Sequence, residues 1–145
     1  MNFSGTFDHT LDSKNRLTVP SKFRAALAGQ VFVVRSAGPC LSIYPGDHYT
    51  RLTNESLKGL PPLSSQYKEL RHIFNGWADD LELDGAGRVA LKAHQLEHAG
   101  ISDRDVKITG VGDCLEVRDP AVWAARETDL KARSADLLES LGHPA

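Results

Sequence analysis

A seven-residue segment occurs twice in this chain. Leu-Asp-Ser-Lys-Asn-Arg-Leu at residues 11–17 returns as Leu-Asp-Gly-Ala-Gly-Arg-Val at residues 83–89, with the two aspartates 72 positions apart. A second pair of related segments begins at Cys40 and Cys114, 74 positions apart. A repeat at a nearly constant interval indicates a duplicated structural unit. A unit of about 45 residues buries too little apolar surface to be stable alone, so the two copies are expected to share one core.

Each copy is predicted to run through the same series of elements. A hairpin-like strand, turn and strand come first, because Asp, Ser and Asn are turn residues and Asn15 tolerates a positive φ. A short helix follows in each copy, over residues 21–28 up to Gly29 and over residues 92–99 up to Gly100. Two further strands then complete the copy.

The pattern divides the chain into four segments: a first repeat at residues 5–47, a helical connector at 48–76, a second repeat at 77–120, and a C-terminal helix and tail at 121–145. In the connector, an apolar stripe at 4, 3, 4 and 3 spacing from Leu63 to Trp77 predicts a helix that starts at Ser64 or Ser65 and ends at Gly76. The last helix should start at Asp119 and Pro120, with fraying expected from Ser134 onward.

Composition and charge narrow the class of protein. With 41% hydrophobic and 25% charged residues, and with no apolar run of the roughly 20 residues that span a bilayer, the chain is predicted to be a globular cytoplasmic protein without signal peptide or membrane helix. Cys40 and Cys114 lie in apolar runs and are predicted to be reduced core residues. The net charge is −2, yet residues 1–78 carry nine basic and five acidic side chains, whereas residues 79–145 carry eight and 14. The first half should therefore face any polyanionic partner.

The two spaced Asp-x-x-x-Arg motifs resemble those of the MraZ family of bacterial regulators. The resemblance covers residue 3 to about residue 125 and includes Leu11 to Pro20, Asp84 to Arg88 and the Tyr44-Pro45 ending. It implies an α+β fold with a mainly β core, a double swapped-hairpin barrel like that of AbrB and SpoVT, built from the two repeats with helices after each. It also implies a nucleoid-associated ring, such as an octamer or dodecamer, that binds promoter direct repeats upstream of the division and cell-wall gene cluster. The family usually has Gly where this chain has Asn15.

The first motif carries the candidate DNA contacts. Four cations lie within eleven residues, and Arg suits guanine edges or phosphates while Lys suits phosphates; they are Lys14, Arg16, Lys22 and Arg24. The second copy keeps only an arginine and a lysine over the same stretch. Asp12, Asp84 and Arg88 are interpreted as structural residues that pair across the turns, since partly buried ion pairs mainly fix geometry.

Two other functions remain as alternatives. An AbrB-type antitoxin would combine a DNA-binding barrel with a toxin-binding tail, although such proteins usually carry one hairpin unit per chain. The pattern His94-x-x-Glu97-His98 spells that of inverted zinc peptidases, but a third protein ligand is not evident. The chain is therefore predicted to be a DNA-binding regulator rather than an enzyme, with no cofactor, no metal and no membrane partner.

Overall fold

The computed structural model describes residues 2–142 and has a mixed α+β fold dominated by antiparallel strands. The eight strands are β1 (Thr6–Thr10), β2 (Arg16–Thr18), β3 (Gln30–Ser36), β4 (Cys40–Pro45), β5 (Ala78–Glu82), β6 (Arg88–Ala90), β7 (Asp105–Gly110) and β8 (Leu115–Arg118). The helices are α1 (Gly46–Ser56), α2 (Ser65–Arg71), α3 (Ala93–Ala99) and α4 (Pro120–Leu141). A 3₁₀ turn at Ser21–Phe23 and a π-helical turn at His72–Gly76 complete the set.

The strand order shows how the two copies combine. One sheet has the order β1-β7-β8-β4-β3-β5, and β2 pairs with β6 in a separate two-stranded ribbon. When each strand is replaced by its counterpart, the same order is obtained read from the opposite edge, so the copies are related by a pseudo-twofold axis through the β4–β8 pair and the ribbon. The first strand of each copy pairs with the other copy, β1 with β7 and β5 with β3. Among residues 2–142 no ladder joins β1 to β5.

The strands on either side of each motif do not form the local hairpin that the sequence suggests. Backbone hydrogen bonds close the first turn, from the Asp12 N–H to the Arg16 carbonyl at 3.1 Å and from the Asn15 N–H to the Asp12 carbonyl at 2.9 Å. Beyond this turn, however, β1 and β2 separate to pair with β7 and β6. The local turn is as predicted, whereas the pairing partner comes from the other copy, as in a swapped hairpin.

One apolar core lies between the ribbon and the sheet, with side chains from both copies. Leu17 and Val89 are directly opposite each other in the ribbon, and both are fully buried. Cys40 and Cys114 are buried free thiols, which confirms the prediction for both. Burial raises the pKa of each thiol to about 11. The copies thus share a core that neither could form by itself.

The short helix differs between the copies. In the second copy, α3 ends at Gly100, whose φ is +68°, close to the prediction. In the first copy the helix expected over residues 21–28 is wrong, because only the 3₁₀ turn and a following turn form before Gly29. The difference has a local cause: the Gln95 side chain accepts the Lys92 N–H at 2.8 Å at the start of α3, whereas the 3₁₀ turn has no side-chain cap.

The second helix of the connector, α2, and the C-terminal helix, α4, have no buried residue. Ser64 caps α2 as predicted, since its hydroxyl accepts the Tyr67 N–H at 3.2 Å. The apolar stripe of this region is not buried: α2 has no buried residue and Leu63 is 86% exposed. The fraying expected from Ser134 is wrong as far as Leu141, because α4 continues to that residue; the last three positions of the predicted tail lie outside the described residues. None of the helices in the described part of the chain has the length and apolarity to cross a membrane.

Candidate nucleic-acid interface

The Asp12 carboxylate organises the first motif loop. One of its oxygens accepts the backbone N–H groups of Lys14 and Arg16, both at 2.9 Å. The other oxygen lies 2.6 Å from Arg16 Nε. The Arg16 backbone N–H is the main cause that lowers the pKa of Asp12 to about 2, and the side chain of Arg16 adds to it. The loop therefore holds an ionised carboxylate that fixes the direction of the Arg16 guanidinium.

The second motif loop repeats this geometry almost atom for atom. Asp84 accepts the backbone N–H groups of Ala86 and Arg88 at 2.9 Å, and its second oxygen lies 2.7 Å from Arg88 Nε. The Arg88 backbone N–H is the main cause that lowers the pKa of Asp84. The turns need one residue in the left-handed region, which is Asn15 with φ +57° in the first loop and Gly87 with φ +74° in the second. Asn15 thus supplies the conformation that a glycine supplies in the other copy.

Each loop also accepts a backbone hydrogen bond from the residue that follows the opposite strand of the ribbon. The Asn15 carbonyl accepts the Leu91 N–H at 3.0 Å, and the Gly87 carbonyl accepts the Val19 N–H at 2.9 Å. Because β2 and β6 are antiparallel, this reciprocal pairing puts the two loops at opposite ends of the ribbon. The loops are therefore fixed relative to each other by the fold.

The outer face of the ribbon presents both motif arginines. Leu17 and Val89 point into the core, so alternation along the strands places Arg16 and Arg88 on the opposite face. Their side chains are about one-third exposed, at 29% and 32%. Arg88 Nη1 lies 4.0 Å from the Asp12 carboxylate, which therefore has an arginine on each side. The sequence interpretation favoured a structural role for Arg88 and left its contact with DNA open; it did not foresee that Arg88 shares this surface with Arg16.

Lys14 distinguishes the first loop from the second. Each motif arginine is matched by its own aspartate, so the Asp–Arg pairs add no net charge. Lys14 is exposed, and its counterpart in the second loop is Ala86. Apart from its backbone N–H, Lys14 makes no hydrogen bond or ion pair within residues 2–142. The excess positive charge of the first loop is therefore carried by Lys14.

The other two predicted contacts lie apart from the first loop. The Lys22 ammonium sits over the rings of Phe7 and Phe23, at 5.1 and 4.9 Å from their centroids. Arg24 Nε donates to the Val19 carbonyl at 3.1 Å, and its guanidinium covers Gly87 so closely that a Cβ there would lie 2.5 Å from Nε. Arg24 thus lies against the second loop. The four cations that are close in sequence are therefore not grouped at one loop: Arg24 lies at the second loop and Lys22 lies over two aromatic rings.

A group of acidic side chains lies on one side of Arg16, and the sequence analysis did not predict it. Arg16 and Arg88 line a concavity whose acidic members are Asp79, Asp80, Glu82 and Asp84. The second copy brings these residues beside the first through strand exchange. Asp79 is already paired, at 2.8 Å from Lys92 Nζ and 2.7 Å from Gln95 Nε2. A polyanion would be repelled on this side, so it would approach the ribbon from the Lys14 side.

The histidine pattern of α3 does not form a zinc site. His98 Nε2 is 2.8 Å from the Ser36 carbonyl, and His94 Nε2 is 3.6 Å from an Asp79 oxygen. No group of three histidine, cysteine, aspartate or glutamate side chains in the described ranges is placed to hold a metal ion. The hydrogen bond of His98 gives it a structural contact between α3 and β3.

Comparisons with known proteins find one family over most of the chain. The family described as "MraZ protein, putative antitoxin-like" matches residues 2–60 and 74–139. A transcriptional regulator MraZ of Desulfitobacterium hafniense is 34% identical over 143 residues, covering 97% of this chain and 99% of the relative. Proteins of the same name from Syntrophomonas wolfei and a Nocardioides species are each 32% identical, covering 96% and 99% of this chain, and 96% and 98% of the relatives.

Proposed function

This chain belongs to the MraZ family, and we propose that it is a transcriptional regulator that binds double-stranded DNA sequence-specifically. Its proposed targets are short direct repeats upstream of the division and cell-wall gene cluster, bound in the cytoplasm, at the nucleoid, by a ring-shaped homo-oligomer. The names of the curated relatives support the regulatory role.

The observation that carries the proposal is the fixed guanidinium of Arg16 on the outer face of the ribbon. Asp12 binds Arg16 through Nε at 2.6 Å, and the two Nη groups have no hydrogen-bond partner within residues 2–142. A guanidinium held in this way is suited to bidentate hydrogen bonds with guanine O6 and N7 or with phosphate oxygens. Lys14, exposed on the same loop, supplies a point charge for a neighbouring phosphate.

Several copies are needed for useful affinity. One loop offers Lys14 and Arg16, and a protein that neutralises few phosphates binds weakly at physiological salt. A ring repeats the same loop, so that once one loop is bound its neighbours act at high effective concentration on correctly spaced sites. A regular series of direct repeats is the DNA arrangement that such an assembly matches.

The proposal is tested by a mobility shift with the DNA immediately upstream of this gene, at two salt concentrations. We expect Arg16→Ala to weaken binding by about 10-fold or more per contacted repeat, since a bidentate contact to the wrong or missing partner costs about 1–3 kcal/mol. Arg88→Ala, run in parallel, tests whether the second motif arginine also contributes. Lys58→Ala removes an exposed lysine from the connector and serves as the charge-loss control.

Two further measurements control for assembly state and for DNA sequence. Light scattering after size exclusion must show that Arg16→Ala has the same assembly state as the unmodified protein. DNA of the same composition with scrambled repeats must bind more weakly than the native sequence. Undiminished binding by Arg16→Ala would overturn the assignment of Arg16, and equal binding to scrambled DNA would overturn sequence-specific recognition.

A further inference from the structure

A groove lies between α1, β3 and the π-helical turn, and none of the residues that line it belongs to the ribbon or to a motif loop. Its volume is about 390 Å³, within the range of roughly 300–1,000 Å³ found for pockets that hold small organic molecules. Its lining is mainly apolar and aromatic, and includes Val34, Leu52, Ile73 and Phe74. The groove is therefore a candidate ligand site separate from the candidate DNA surface.

Arg35 is the one charged side chain among the described residues that line the groove. Its guanidinium lies 4.7 Å from the Trp77 ring centroid, and it makes no hydrogen bond or ion pair within residues 2–142. Arg35 Nε is shielded from water as well, so it lacks a protein acceptor and a solvent acceptor together. A buried donor of a charged group is unfavourable without an acceptor. An anion in the groove would supply one.

The hydroxyl groups that α1 contributes to the groove already have acceptors in the protein. The Tyr49 hydroxyl donates to the Phe74 carbonyl at 2.6 Å, and the Thr53 hydroxyl donates to the Tyr49 carbonyl at 3.0 Å. The Ser56 hydroxyl donates to a carbonyl of the same helix at 2.8 Å. The free hydrogen-bonding capacity on this part of the lining therefore belongs to Arg35. One free cation beside an apolar lining matches a molecule with one anionic group and an apolar body.

The π-helical turn forms the apolar wall of the groove. Turns of this kind are rare and occur frequently at functional sites. Ile73 and Phe74 lie in the turn, and Trp77, which stacks on Arg35, directly follows it. The hydrogen bond from Tyr49 fixes the turn against α1. The groove is thus held open by contacts within the chain, and a ligand would not have to order it.

We propose that this groove binds a small aliphatic monocarboxylate, with the carboxylate on the Arg35 guanidinium and the hydrocarbon chain along Ile73 and Phe74. A guanidinium and a carboxylate match as a bidentate pair. A doubly charged phosphate ester would need a second cation, which the described lining does not offer. A neutral molecule of the same shape would leave Arg35 unpaired. This site is additional to the DNA surface and does not depend on DNA binding.

The test titrates the full chain with octanoate, using isothermal titration calorimetry. Octanol has the same chain without the charge, and octylamine carries the opposite charge. We expect octanoate to bind saturably at one site per chain. Octanol should bind about 10-fold or more weakly, since a hydrogen bond to a charged group is lost, and octylamine should not bind. Equal affinity for octanoate and octanol, or no saturable binding of octanoate, would overturn the proposal.

Two variants locate the site, and a third is the control. Arg35→Gln should weaken octanoate binding by about 10-fold or more, because the charged partner is removed. Ile73→Glu places a carboxylate in the groove, which should compete with octanoate for Arg35 and abolish binding. Arg51→Gln is the matched control, since Arg51 is exposed on α1, does not line the groove and makes no hydrogen bond or ion pair in the described chain. Circular dichroism checks that each variant is folded, and undiminished binding by both folded groove variants would refute the assignment.

Tryptophan fluorescence gives a second readout inside the groove. The chain has two tryptophans, so a Trp123→Phe protein reports on Trp77 alone. Octanoate that binds Arg35 should change the Trp77 emission with the same midpoint as the heat signal, and octanol at the same concentration should not. Light scattering records the assembly state during the titration. Binding to dissociated chains but not to assembled ones would show that a second copy covers the groove, and would overturn the proposal.

Discussion

Among the glycines of residues 2–142, Gly110 is the one at which an added Cβ would lie nearest to other backbone atoms. A Cβ added there would lie 2.5 Å from the Phe3 carbonyl carbon and 2.8 Å from Ser4 Cα, where ordinary contact begins at 3.4 Å. The backbone nitrogen of Ser4 would lie closer still, so the N-terminal segment would have to move by more than about 0.9 Å, the difference between 3.4 and 2.5 Å. That segment is held by backbone hydrogen bonds between Phe3 and Gly112 at 2.8 and 2.9 Å, and by one from Gly110 to Gly5 at 2.9 Å. The bonds leave little room for such a shift.

The size of the effect follows from what the segment anchors. Phe3 is 1% exposed and packs on Phe23 with ring centroids 5.3 Å apart. Releasing the segment is the alternative to straining it, so the cost of Gly110→Ala is limited by the loss of Phe3 from the core, about 3–5 kcal/mol. We therefore expect Gly110→Ala and Phe3→Ala to destabilise the protein by similar amounts. The double variant should cost little more than either, because the second change acts on a segment that is already released.

Urea denaturation at one fixed protein concentration measures these changes, since assembly also contributes to apparent stability. Gly85→Ala is the matched control, because a Cβ at Gly85 meets nothing within 4 Å and its φ is not positive. It should change the free energy of unfolding by less than about 0.5 kcal/mol. A Gly110→Ala protein as stable as the control, or fully additive costs in the double variant, would refute the reasoning.

Three further predictions concern the motif loop and the core. Lys14→Ala should leave stability unchanged, since the side chain makes no hydrogen bond or ion pair in the described chain. It should reduce the salt dependence of DNA binding, lowering the slope by about 0.9 for each phosphate that is no longer neutralised. Affinity titrations at several salt concentrations measure this slope. The pKa of Asp12 is lowered to about 2 against an ordinary 3.8, so its carboxylate should contribute stability that is complete above about pH 5 and is lost as the pH falls towards 2. The pH dependence of urea denaturation should therefore be flatter in this range for Asp12→Asn. An unchanged profile would contradict the role of the carboxylate. Cys40 and Cys114, buried with pKa values raised to about 11, should resist alkylation at pH 8 in the folded protein and react quickly in denaturant, so that rapid labelling of the native protein would contradict their burial.

Features that depend on neighbouring residues could be read from the chain itself. Asn15 and Gly100 have the positive φ expected of them, and Ser64 caps its helix. These features are local, since turn and cap geometry depends on a few consecutive side chains. The short helix of the first copy is the exception. Gly29 was expected to end a helix that does not form, and only the second copy has a side chain, Gln95, in place to cap the first turn.

The composition of the candidate surface was harder to predict. Lys14 and Arg16 lie together on the first loop, as neighbouring residues of one turn must. Arg24, eight residues further along, lies instead against Gly87 in the other copy. Arg88 joins Arg16 because strand alternation and antiparallel pairing place both on the outer face of the ribbon. The positions of Arg24 and Arg88 cannot be inferred from spacing, because each depends on the pairing partner of a strand.

The sequence by itself determined the duplication, the order of strands within each copy and the turn chemistry of both motifs. The tertiary structure decided that β1 and β5 exchange partners, that the acidic residues of the second copy lie beside Arg16, and that α4 leaves its apolar end exposed. The physical reason is the range of the interactions. Dihedral preferences and caps act over a few residues, whereas strand pairing between the copies joins residues 44 to 103 positions apart. Several such pairings would satisfy the same local pattern.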